Sequence, residues 1–81
     1  MQRQEIVDIV NKTLIENFEL KPEDLTPDAL IGENLKLDSL DAVDMLVHLE
    51  DRLGTKYDIE KFKEVRKLND IYNLVEEAIS K

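Results

Sequence analysis

The chain has 81 residues, 42% hydrophobic and 37% charged, with two Gly, two Pro, no Cys and a formal charge of -8 at pH 7. One small domain, residues 1–81, is expected, too small to wall off a deep water-free active site; the lack of cysteine excludes a disulfide scaffold and a thiolate metal site. The negative charge repels nucleic acid and anionic membrane, and it either favours basic partners or serves solubility.

Acids or bases interrupt every apolar stretch, so no membrane-spanning or signal-like segment is expected, and the chain reads as soluble and cytoplasmic. From Gln4 to Phe18 the residues Ile6, Val7, Val10, Leu14 and Phe18 recur at spacings of three and four, predicting a first long helix. Periodicity then fails between Glu19 and Leu37, where Pro22, Pro27 and Gly32 punctuate the chain and leucines fall at 20, 25, 30 and 35. A long loop pinned to the core by those leucines is expected, with a short helical turn opened by Pro22.

A second long helix is predicted from about Asp38 to Leu53, with Asp38 as N-cap, Asp41 near the positive end of the dipole and Gly54 as a left-handed stop. Ala42, Leu46, Leu49 and Leu53 form its expected core stripe, while Leu40, Asp44, Val47 and Asp51 face solvent. Tyr57, Ile59, Phe62 and Val65 fit a short third helix or an irregular segment packed by aromatics. A last helix runs from Leu68 to Ile79, with Leu68, Ile71, Val75 and Ala78 as its stripe and a frayed end at Ser80 and Lys81. The expected fold is all-α: a small four-helix bundle, three helices long and one short, with a long first loop.

Ser39, flanked by Asp38 and Leu40-Asp41 at the start of the acidic second helix, is the residue that carries chemistry. It is not a convincing nucleophile. The single histidine, His48, lies nine residues further along the same helix, roughly 13 Å away at 1.5 Å per residue, and a catalytic serine needs its base in contact. His48 instead reads as a surface partner of Asp44 and Arg52, one turn away on either side. The acids cannot wrap a calcium ion from a straight helix, so Asp41 with Asp44 offers at most loose charge relief by a divalent cation, and no metal cofactor is expected. What stands out is an apolar strip of Leu40, Val43 and Val47 bordered by Asp41, Asp44, Glu50 and Asp51, the pattern of a docking patch.

Leu37-Asp38-Ser39-Leu40-Asp41-Ala42-Val43-Asp44-Met45-Leu46, followed by Leu49-Glu50-Asp51, resembles the modification segment of discrete bacterial acyl carrier proteins, whose hallmark is Asp-Ser-Leu opening an acidic second helix. Size, acidity, long first loop and helix order agree over nearly the whole chain. The resemblance implies a non-catalytic carrier in which Ser39 receives 4'-phosphopantetheine from coenzyme A and acyl groups ride as thioesters to enzymes of fatty-acid, polyketide or a related specialised acyl pathway. It implies that Asp38 is recognised by the phosphopantetheinyl transferase. Leu40, Val43 and Val47 would be apolar contacts for acyl-transferring, condensing and modifying enzymes, and Asp41, Asp44, Glu50 and Asp51 would meet basic patches on them. An acyl chain could tuck between the helices.

The sequence departs from fatty-acid carriers at two places. Lys36 stands two before Asp38, where those carriers commonly place Gly, and Lys56, Lys61, Lys63, Arg66 and Lys67 outnumber Asp58, Glu60 and Glu64 in a stretch usually acidic. Lys36 makes the approach to the serine bulkier and locally positive, which bears on transferase preference. The basic stretch reads either as a solvated rim or as a distinct docking surface for a specialised pathway, and Tyr57, Ile59 and Phe62 add bulk that bears on how cargo is accommodated. Together they lean towards a specialised carrier over the housekeeping fatty-acid one. The rival readings are an unmodified acidic interaction module, a carrier fold that has lost its prosthetic group, and a small serine hydrolase. Nothing points to an obligate dimer, and a monomer is expected.

Overall fold

A computed structural model describes residues 2–54 and 56–79. Within them the chain forms α1 (Arg3–Phe18), a single 3-10 turn (Pro22–Asp24), α2 (Ser39–Leu53), α3 (Ile59–Lys63) and α4 (Leu68–Ile79). The expected all-α bundle of three long helices and one short is what forms. The predicted fraying at Ser80 and Lys81 lies outside the described residues. Helix α1 packs against α4 and α2, and α3 packs against α2 and α4.

One apolar cluster joins these elements: Ile6, Val10 and Leu14 from α1, Met45, Leu46 and Leu49 from α2, Phe62 from α3, and Leu68, Ile71, Tyr72 and Val75 from α4. The core stripe of α2 differs from the expected one. Met45, beside that stripe and one turn before Leu49, is fully buried, whereas Ala42 and Leu53, near the two ends of the helix, are half-buried. In α4 the stripe gains Tyr72 and leaves Ala78 half-buried. Tyr72 can be buried because its hydroxyl donates to Asn11 Oδ1 on α1, and the Arg3 guanidinium lies 5.6 Å from its ring centroid. Thr13, the polar residue in this core, returns its hydroxyl to the Ile9 carbonyl at 2.8 Å.

The long loop is pinned, but not by a simple row of leucines. Leu25 and Leu35 are buried together with Ala29, Ile31 and Leu37, whereas Leu20 and Leu30 are half-buried. Around Leu30 the backbone is extended and forms an isolated antiparallel bridge with Lys67. Side chains in extended backbone alternate in direction, so Ala29 and Ile31 turn inward and Leu30 turns away.

The same loop supplies the start of α4 with acceptors. Leu68 N donates to the Ala29 carbonyl at 2.9 Å, Asn69 N to Pro27 at 3.0 Å, and Ile31 N donates in return to the Arg66 carbonyl at 2.9 Å. Asp70 Oδ2 accepts from Arg66 N and Lys67 N, both at 3.1 Å. Helix starts leave backbone N–H groups without intrahelical partners, and here loop carbonyls and one carboxylate take them.

Burial pushes the phenol pKa of both Tyr57 and Tyr72 upward; the nearby Glu50 charge adds to the rise at Tyr57, while the Asn11 hydrogen bond and Arg3 oppose it at Tyr72. A raised folded-state pKa means that the contribution is complete below the unfolded value of about 10 and is lost as pH rises through the folded value. Thermal melting should therefore hold steady from neutral pH to about 9 and fall above about 10. The variants Tyr57→Phe and Tyr72→Phe should each flatten that fall when the midpoint is followed against pH.

Candidate functional site

Helix α2 begins where the sequence predicts. Asp38 is extended and its Oδ1 accepts from Asp41 N at 2.9 Å, while Asp41 Oδ2 accepts from Asp38 N at 3.2 Å. This reciprocal pair is a capping box with aspartates at both positions. It fixes Ser39 as the first helical residue, exposed, with no hydrogen-bond partner for its hydroxyl among the described residues. The other end closes on Gly54 at φ +66°, whose N–H donates to the Glu50 carbonyl at 2.8 Å.

Ser39 and Asp38 lie on the lining of a cleft of about 270 Å³ between α2, α3 and the loops beside them. Its apolar surface comes from residues such as Ile31, Val43, Ile59, Phe62 and Val65, and Lys63 and Arg66 add charge. Val43 belongs here: it is half-buried on the cleft and does not complete an exposed strip with Leu40 and Val47. Those two are 77% and 54% exposed, large values for apolar residues, and they stand beside Asp44 and Asp51.

The acids separate in the same way. Asp44 and Asp51 are exposed, Asp44 with His48 Nε2 at 3.6 Å. Asp41 is half-buried and committed to the cap, and Glu50 is half-buried, its Oε2 accepting from Tyr57 N at 3.0 Å. Arg52, expected to pair with His48, reaches across to Glu16 of α1. That hydrogen bond and the guanidinium charge hold the Glu16 carboxyl below its usual range.

Among the described residues no group of three or more potential ligands could hold a metal ion, and no helix is long and apolar enough to cross a membrane. Sequence reasoning missed the wall of the cleft across from α2. Phe62, Lys63, Val65 and Arg66 join Ser39 there only through tertiary packing; the apolar Ile59, Phe62 and Val65 and the basic bias of their stretch were its traces in the sequence.

The Ser39 hydroxyl is exposed and, among the described residues, has no hydrogen-bond partner, so it is open to modification by another protein. Residues 8–75 match the family described as phosphopantetheine attachment site. The chain belongs to the acyl carrier protein family. It is 35% identical over 80 residues to acyl carrier protein 2 of Ralstonia nicotianae, covering 99% of each chain. It is 25% identical over 80 residues to the acyl carrier protein of Thermosynechococcus vestitus, again covering 99% of each. The fold matches the crystal structure of an acyl carrier protein from Thermotoga maritima with a TM-score of 0.85 at 21% identity, over 99% of this chain and 93% of that one.

Acyl carrier proteins are non-catalytic, carry 4'-phosphopantetheine covalently, and work with a phosphopantetheinyl transferase and enzymes of acyl metabolism. Against that family background Lys36 acquires a structural meaning. It is exposed and sits at φ +59°, in the left-handed region. That conformation strains any residue with a Cβ, and it explains why glycine suits the position. Lys36→Gly should stabilise the fold by about 0.5–1 kcal/mol, after the larger unfolded-state entropy of glycine is offset. Urea unfolding checks this, with a raised midpoint and an unchanged m-value expected.

Proposed function

We propose that this protein is a discrete cytoplasmic carrier that shuttles acyl intermediates as thioesters on an arm attached to Ser39, in a specialised acyl pathway. The observation that carries the attachment point is the exposed Ser39 hydroxyl, without a partner among the described residues, at the capped start of α2 beside an apolar cleft. The prosthetic group, once bound, supplies the terminal thiol that holds acyl cargo. Ser39 Oγ would lose its proton and form the phosphodiester with the phosphopantetheine half of coenzyme A, as the pyrophosphate bond breaks and adenosine bisphosphate leaves. The Asp38 carboxylate, tied to Asp41 N, is held in a fixed place where a transferase can read it.

The rest of α2 supports docking. Leu40 and Val47 provide exposed apolar contacts, and Asp44 and Asp51 provide charge for basic partner surfaces. Exposed charges raise encounter rates yet remain screened and reversible, which suits a shuttle that visits several enzymes in turn. Asp41 and Glu50 add to the same negative field but are also bound internally, so they contribute less freely. The unusual Lys36 and the basic α3 region support a specialised pathway.

Intact-protein mass spectrometry after incubation with coenzyme A, magnesium and a broad-specificity transferase tests the attachment. Wild-type protein should gain one phosphopantetheine. Ser39→Ala should gain none while melting within about 0.5 kcal/mol of wild type, because an exposed first-turn hydroxyl packs against little. An unmodified wild type would instead favour the interaction-module reading.

Charge reversal tests the docking face. Asp44→Lys with Asp51→Lys should lower the transfer rate to partner enzymes at low salt by about 10-fold and flatten its salt dependence. Equal rates in the two proteins at low salt would remove this face from the interface.

A further inference from the structure

The basic stretch between Lys56 and Lys67 has no role in carrying or docking as described above. In the fold its cations have different fates. Lys61 Nζ lies 3.2 Å from Glu77 Oε1 and is neutralised there. Lys63 and Arg66 instead line the cleft that Ser39 also lines.

Arg66 is oriented. Its Nη1 donates to the Lys63 carbonyl at 3.3 Å and to the Val65 carbonyl at 3.2 Å, which fixes the guanidinium plane. Among the described residues its remaining guanidinium nitrogens have no partner, and neither does the Lys63 ammonium. This chain has 19 acids against 11 Lys and Arg, so carboxylates are plentiful, yet among the described residues none pairs with these two cations. Beside them the cleft offers the apolar surfaces of Val43, Ile59, Phe62 and Val65. A ligand complementary to that arrangement has an apolar body and an anionic oxygen group at one end. A guanidinium fork binds a carboxylate with two parallel hydrogen bonds, where an ammonium offers only a point charge.

We propose that the cleft beside Ser39 favours acyl cargo that ends in a carboxylate, with Arg66 binding that carboxylate and Lys63 adding charge. The inference rests on the carrier reading given above. It makes this carrier selective for half-thioesters of dicarboxylic acids over plain fatty acyl groups of the same length. An anionic group of a second origin, the phosphodiester at Ser39 itself, is separated by the experiment.

Wild-type protein and the Lys63→Gln/Arg66→Gln variant are each loaded by a transferase from coenzyme A, hexanoyl-coenzyme A and adipoyl-coenzyme A, and loading at Ser39 is verified by mass. Thermal midpoints are measured at low and high salt, together with backbone amide shifts across α3 and Arg66. At low salt the adipoyl form of the wild type should melt about 2–4 °C above the hexanoyl form, the size expected of a partly exposed ion pair in a domain this small. High salt and the double substitution should each erase the difference, while the hexanoyl forms of the two proteins melt alike and so show that the fold is intact.

Equal midpoints for the two cargoes in wild type, or a difference that survives the double substitution, would overturn the proposal. So would Lys63 and Arg66 shifts already complete in the form loaded from coenzyme A alone, since they would assign the cations to the phosphodiester. A wild type that takes no mass at Ser39 would overturn the carrier reading and this inference with it, and is recognised before any melting curve is recorded.

Discussion

The backbone exchange between the long loop and the start of α4 is the constraint on which the site depends. Three backbone hydrogen bonds, Leu68 N to Ala29, Asn69 N to Pro27 and Ile31 N to Arg66, tie the loop to the α3–α4 junction. They satisfy donors that a helix start otherwise leaves to water or to a cap, and they set Ala29 and Ile31 into the core. Ile31 then becomes part of the cleft, and Leu37, whose N–H donates to the Ile31 carbonyl at 3.1 Å, leads directly into Asp38 and Ser39. The placement of Ser39 relative to Phe62 and Arg66 thus follows from a loop that contributes almost no regular structure.

Helix α2 divides its residues between two tasks. Its inward side, Met45, Leu46 and Leu49, is fixed by packing, and its outward side, Leu40, Asp44, Val47 and Asp51, is left to solvent. Val43 falls between the two, on the cleft. A helix has one face for the core and one for water, but a helix beside a cleft has a third boundary, and it is there that the simple amphipathic reading gives out.

What the sequence made legible follows from which interactions are local. The ends of α2 could be read because a cap at Asp38, its partner Asp41 and the left-handed Gly54 all act within four residues. The 3-10 turn at Pro22 could be read for the same reason. Met45 and Tyr72 were missed because burial there depends on neighbouring helices: Tyr72 enters the core only where Asn11 can take its hydroxyl. The Glu16–Arg52 pair spans 36 residues and has no signature in either segment. Helix α1 ends on Glu19 at φ +57°, where neither glycine nor asparagine announced a stop. The serine was legible through its motif, the far wall of its cleft only as a few apolar residues, Ile59, Phe62 and Val65, and a run of cations.

The brevity of α3 has a mechanical consequence. Five residues cannot sustain a helix on their own, and α3 is seated by one buried side chain, Phe62, with Asp58 capping its start through Glu60 N at 2.9 Å. The opposite side of the cleft is α2, fifteen residues long and anchored at three buried positions. The cleft is therefore a chamber with unequal walls: one is a long helix held by several buried side chains, the other a single short helix that enters the core through one aromatic ring.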